Sequence, residues 1–97
     1  MMNKYLVEFL GTTFLVFVVL ATGNWLAIGA ALAISVFLGG AISGGAFNPA
    51  VAIALFVSGK IPKTDILPYI VVEVLGCLLA YFIYNIYNKK NQNKKSK

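Results

Sequence analysis

An all-α integral membrane fold, with three transmembrane helices and one re-entrant half-helix, is what the sequence predicts, and three observations carry that prediction. Of 97 residues, 60% are hydrophobic and 11% charged, and the mean hydropathy is +0.85, more apolar than the surface of a soluble domain this small allows. Three apolar stretches, at 5–22, 25–42 and 66–87, each approach the roughly 20 residues that a helix needs to cross a bilayer. Between the second and third lies a glycine-rich segment followed by an apolar run too short to span.

The first stretch follows Lys4 and superficially resembles a secretory signal, with its apolar run at 9–21. Glu8 at the head of that run, and the absence of a soluble domain behind it, argue for a spanning helix instead. The second stretch carries Gly29, Ala33, Gly39 and Gly40, and the third carries Gly76 and Ala80, small residues that let helices approach closely. Tyr5, Trp25, Tyr69, Tyr81, Tyr84 and Tyr87 fall near span ends, where amphipathic rings collect.

The segment Ser43-Gly44-Gly45-Ala46-Phe47 reads as irregular backbone. The ten residues that follow it, 48–57, cover about 15 Å as a helix, half of the ~30 Å hydrocarbon thickness. Irregular backbone survives at membrane depth only where protein or a water-filled cavity satisfies its polar groups. A loop that enters the bilayer and a half-helix that leaves by the same face therefore point to a pore. Asn48 is a favoured N-cap, and Pro49 suits the first helical position, where its missing N–H costs nothing. Gly59 is the expected C-cap, and Thr64 or Asp65 the expected cap of the third span. The domain reading is a membrane domain over 1–88 and a lysine-rich polar tail over 89–97.

All basic residues are lysines, eight in number, for a formal net charge of +5. Five of them, Lys89, Lys90, Lys94, Lys95 and Lys97, crowd the tail, which fits a solvated segment beside a membrane. No basic face follows a phosphate backbone elsewhere, so no nucleic-acid partner is expected. Cys77 is the single cysteine and there is no histidine, which excludes intrachain disulfides, His-based triads and the common zinc sites. No enzyme activity, cofactor or metal is expected.

The segment Ile42-Ser43-Gly44-Gly45-Ala46-Phe47-Asn48-Pro49-Ala50-Val51 resembles the first signature of the major intrinsic protein family, the aquaporins and glycerol facilitators. Glu8-Phe9-Leu10-Gly11-Thr12 is similar to that family's first-helix motif, and Pro68-Tyr69-Ile70 through Gly76 to its third helix. The resemblance covers residue 5 to about residue 84, and it stops where a family member would begin its second half. It implies half of an aquaporin fold with one Asn-Pro-Ala motif, completed by an inverted second copy. By resemblance, Asn48, Pro49 and Ala50 line the pore, and Glu8 accepts backbone N–H bonds from the re-entrant loop. Glu73 stands where the family often has glutamine, as either a protonated acid donating a hydrogen bond or a second ionised acceptor.

A half-helix beginning at Asn48 points its free N–H groups and positive dipole end at the bilayer midplane. Two such ends facing each other disfavour cations and interrupt a proton-conducting water wire. The resemblance thus implies passive permeation of water or small neutral solutes through an antiparallel homodimer, with four dimers per assembly. Lys4, Lys60 and Lys63 on one side, against the tail lysines on the other, leave only a weak positive-inside bias, which permits insertion in both orientations. The family's filter arginine is replaced by Val51. Alignment on the motif puts the other constriction positions at Ile28 from one chain and Val36 and Gly45 from the other, an aliphatic ring. A multi-pass location in the cell (inner or plasma) membrane is expected. The alternatives are a dual-topology proton-coupled transporter using Glu8 or Glu73, and a non-conducting membrane subunit.

Overall fold

Asparagine starts three of the four helices. Asn3, Asn24 and Asn48 each hold extended backbone, and each side chain accepts from an N–H in the turn that follows. Those N–H groups have no partner inside the helix, so each cap contributes about 1 kcal/mol. The computed structural model describes residues 3–95. Its elements are α1 (Lys4–Thr22), α2 (Trp25–Ser43), α3 (Pro49–Val57) and α4 (Lys63–Lys95), and no strand occurs among the described residues. The segments Lys4–Thr22, Trp25–Ser43 and Lys63–Gln92 are long and apolar enough to cross a membrane. At nine residues, α3 is not, reaching about 13 Å.

Helices α1 and α4 run parallel and meet along their length. Tyr5 reaches Asp65 near one end, Phe9, Thr12 and Thr13 pack on Gly76 farther along, and Phe17 meets Tyr87 edge-on. A Cβ on Gly76 would lie 2.8 Å from the Phe9 carbonyl oxygen, so this seam closes only around a hydrogen. Helix α2 returns antiparallel to α1, with Val7 against Gly39 and Glu8 against Ser43. Lipid is as apolar as these faces, so close packing and hydrogen bonds, not burial from water, hold the helices together.

The chain from Gly44 to Ile61 enters and leaves on one side: Gly44 lies beside both Leu55 and Ile61. A small core of Ala46, Ala52, Ile61 and Tyr69 pins it against α4, with Tyr5, Leu55, Phe56 and Ile66 around it. Helix α3 stops in a Schellman turn. Lys60 N–H donates to the Leu55 carbonyl at 2.8 Å and Gly59 N–H to the Phe56 carbonyl at 3.0 Å, with Gly59 at φ 79°, a conformation that favours glycine. The last helical cap is Ser58, so Gly59 is the left-handed residue just beyond it.

Two expectations shift. Helix α4 begins at Lys63, so Thr64 and Asp65 lie inside its first turn and do not precede it. Asp65 instead binds Lys4 Nζ at 2.7 Å and accepts from the Tyr5 hydroxyl at 2.8 Å, a long-range use that outcompetes capping. Tyr69 is buried to 1% exposure and is not an interfacial ring. Among the small residues, Gly39 and Gly76 make close approaches, whereas a Cβ on Gly29 would meet nothing within 4 Å. The helix also continues through the start of the lysine-rich tail to Lys95; Lys97 lies outside the described residues. At 33 residues, α4 measures about 50 Å, which carries its end well past a ~30 Å core.

Candidate functional site

The re-entrant loop is built around one carboxylate. Glu8 is fully buried, and its Oε1 accepts from Phe47 N–H at 2.8 Å, while its Oε2 accepts from Ala46 N–H at 3.2 Å and from the Ser43 hydroxyl at 2.7 Å. Ser43 Oγ in turn accepts from Gly45 N–H at 3.1 Å. Three successive loop amides are thus satisfied in a region where no water would otherwise serve them. The backbone has the shape this requires, with positive φ at Gly44, Gly45 and Phe47, which turns consecutive N–H groups inward as an anion-binding nest.

Among the described residues Phe47 is the one non-glycine with positive φ, at 55°. Left-handed backbone costs a side-chain-bearing residue about 1–2 kcal/mol. A hydrogen bond to a charged group returns about 1.5–3 kcal/mol, so the Glu8 bond offsets that strain. The Phe47 ring, 2% exposed, sits in the space left by Gly11, with Gly39 nearby. Tyr69 completes the brace by donating its hydroxyl to the Ser43 carbonyl at 2.6 Å, which satisfies one of the last carbonyls of α2.

These supports fix the place of Asn48 and the start of α3. Glu73, ten residues along α4 from Lys63, lies about 15 Å from that helix end, and it faces the Asn48 backbone amide. Asn48 Oδ1 accepts from Ala50 N–H at 2.7 Å, which commits the side-chain oxygen to the cap and leaves its amide N–H groups as donors. Pro49 has no N–H, and Val51 N–H makes no hydrogen bond within the chain. The tip is therefore a cluster of donors at the positive end of a helix, with Asn48, Ala50 and Val51 exposed and Pro49 half-buried.

The remaining sequence-derived positions divide. Val36 touches Gly45, with Cγ2 3.3 Å from the position a Cβ would take there, and Val36 and Val51 are each 42% exposed. Ile28 is half-buried and lies two turns back along α2, about 12 Å from Val36, so one chain does not bring these two together. Glu73 is 1% exposed and neither carboxyl oxygen has a hydrogen-bond partner; it faces Glu8 and the Asn48 N–H without closing a bond of ordinary geometry to either. Among the described residues no group of three His, Cys, Asp or Glu side chains could hold a metal.

Sequence reasoning did not single out Ser43 or Phe47 as supports and misassigned Tyr69. The glycine-rich context of Ser43 hinted at a turn, but its link to Glu8 spans 35 positions.

Glycerol uptake facilitator protein-like 6 of Lactiplantibacillus plantarum is 44% identical over 88 residues, covering 81% of this chain and 41% of that protein. Aquaporin Z of Brucella melitensis is 40% identical over 95 residues, covering 82% of this chain and 42% of the relative. Propanediol uptake facilitator PduF of Salmonella typhimurium is 43% identical over 61 residues, covering 59% of this chain and 23% of that protein. The chain thus spans about two fifths of the length of the first two relatives. No solved structure gives a significant match. The sequence profile described as Major intrinsic protein matches residues 22–97, and the chain belongs to that family of integral membrane proteins.

Proposed function

We propose that this chain forms half of a passive channel for water and small neutral solutes, completed by an inverted second copy whose Asn48 tip faces its own. The observation that carries the reading is the exposed tip: Asn48, Ala50 and Val51 are uncovered in the single chain, while the Gly45, Ala46 and Phe47 N–H groups behind them are bonded, and in this reading the tip lies at mid-depth. Donors at that depth cannot face hydrocarbon, because each unsatisfied group there costs several kcal/mol. A water column between two such tips supplies oxygen acceptors and turns each water with its oxygen toward the donors. The same positive ends repel cations.

The relatives' printed names include a glycerol uptake facilitator, an aquaporin and a propanediol uptake facilitator, which supports a channel and not an enzyme. Val51, with Ile28, Val36 and Gly45, forms an aliphatic constriction in this reading, which passes neutral solutes with little orientation by hydrogen bonding. Insertion in both orientations provides the inverted copy, and four such dimers form the assembly in the cell membrane.

Osmotic shrinkage of vesicles carrying the protein tests the proposal. Water flux well above that of protein-free vesicles, cut sharply by Asn48→Asp, is the expected result. Asp caps a helix as well as Asn does, so this variant folds while its tip loses the amide donors. Flux equal to protein-free vesicles in the unmodified protein would sink the proposal. A second reading, proton-coupled transport, draws on the unpartnered carboxyl of Glu73; it requires a pH gradient to drive net solute movement, whereas the channel needs none.

A further inference from the structure

We propose that Glu8 and Glu73 hold one proton between them, and that this shared proton locks the re-entrant loop in place. The shared proton is independent of the channel reading; only its effect on flux rests on it.

Glu8 and Glu73 each stand one turn before the Thr12–Gly76 contact of the parallel helices α1 and α4, which brings them together across the seam, at 0% and 1% exposure. Their situations differ. Glu8 takes three donors, from Ser43, Ala46 and Phe47, the surroundings of an ionised acceptor. Glu73 takes none that closes: both of its oxygens lack partners. Thr12, one turn along α1 from Glu8 and packed on Gly76, has a buried hydroxyl oxygen that is equally unpartnered.

The inventory of donors decides what is missing. Two ionised carboxylates have acceptors only, and burying them side by side places like charges in a medium of low dielectric. Among the described residues no cation pairs with either glutamate. From α1 the neighbouring groups are Lys4 and Tyr5, both bound to Asp65; from α4 they are Asp65 itself and Tyr69, whose hydroxyl is committed to the Ser43 carbonyl; α2 offers the Ser43 hydroxyl, already donated to Glu8; and the loop offers the Asn48 N–H.

One proton resolves the deficit. On Glu73 it forms an O–H that donates to the Glu8 carboxylate, and the other Glu73 oxygen is then a neutral acceptor for the Asn48 N–H and the Thr12 hydroxyl. No bond beyond O–H forms or breaks, and on release the proton passes to water. With the proton present, the Glu8 carboxylate, the loop amides it accepts from and the Asn48 N–H form one hydrogen-bonded network; without it, a second buried anion faces the group that holds Ala46 and Phe47. The stability supplied by the proton is complete while it is bound and falls as pH rises through its release.

Infrared spectroscopy of the protein in vesicles reads the proton directly. Glu8 and Glu73 are the only glutamates, so 13C-glutamate labelling isolates their carboxyl bands. The expected result is a protonated-carboxyl band at neutral pH that shifts with the label, fades at alkaline pH and is absent from Glu73→Gln. Glutamine donates the same hydrogen bond without titrating. Thermal stability of the unmodified protein should therefore fall at alkaline pH, and that of Glu73→Gln should not. A neutral-pH spectrum with no protonated glutamate band would overturn the proposal, as would a band that survives Glu73→Gln or identical pH–stability curves. Absence of water flux at every pH would count against the channel and leave this result intact.

Discussion

The Glu8 carboxylate accepts the Phe47 backbone N–H at 2.8 Å across 39 positions of sequence. That bond joins the first spanning helix to the residue immediately before Asn48. It also holds Phe47 in left-handed backbone, so the position of Asn48 depends on a side chain four helical residues from Lys4.

Glu8→Gln should loosen this connection. The amide replaces one of two acceptor oxygens by an NH2 donor, which must then confront either Phe47 N–H or the Ala46 N–H and Ser43 hydroxyl pair. Hydrogen bonds to a charged acceptor contribute about 1.5–3 kcal/mol, and we expect a stability loss of about 2 kcal/mol on that basis. Denaturant titration in detergent measures it, together with increased proteolysis within the loop. A loss below about 0.5 kcal/mol would mean that the carboxylate does not hold the loop.

Gly11→Ala and Gly29→Ala provide a matched pair. A Cβ at Gly11 would overlap the Phe47 ring, whereas one at Gly29 would meet nothing within 4 Å. Overpacking costs about 1–3 kcal/mol, so Gly11→Ala should lower the thermal midpoint clearly. Gly29→Ala tests the pairing as well: no change is expected from this chain's own packing, and a large fall would reveal a neighbouring helix seated on that face.

Val51→Arg examines the constriction. In a symmetric pair it adds one guanidinium near each mouth, and charge in a narrow passage lowers stability. Where the protein still assembles, the passage narrows, and glycerol should slow more than water. The measured quantity is the ratio of glycerol flux to water flux in the same vesicles. An unchanged ratio in folded protein would remove Val51 from the constriction.

Much of the fold was legible because its determinants are local. Length and hydropathy set the three spans, and Asn48-Pro49 marks the start of α3 at the residue where it begins. The mismatches arise where a distant partner decides. Asp65 reads as a cap until Lys4 and Tyr5 claim it, and Tyr69 reads as an interfacial ring until its hydroxyl finds the Ser43 carbonyl. Glu8 entered as a loop support by resemblance, not by periodicity, and its contact geometry came only with the three-dimensional structure. Ser43 and Phe47 gave no such signal, since a serine after an apolar helix and a phenylalanine before Asn-Pro are unexceptional one at a time. The constriction through Ile28, Val36, Gly45 and Val51 involves a second half and is a matter for experiment on the assembled protein.

The central claim, that two Asn48 tips face each other, is tested most directly by cross-linking at Ala50. Ala50 is exposed at the tip, and changing it leaves the Asn48 cap in place. In protein carrying Ala50→Cys and Cys77→Ser, a short bismaleimide, which adds one thiol across each of its two C=C bonds, should convert most chains in vesicles to a covalent dimer, while Trp25→Cys in the same background should stay single. Ala50→Cys thiols that react fully with a monofunctional reagent yet yield no dimer would contradict the account.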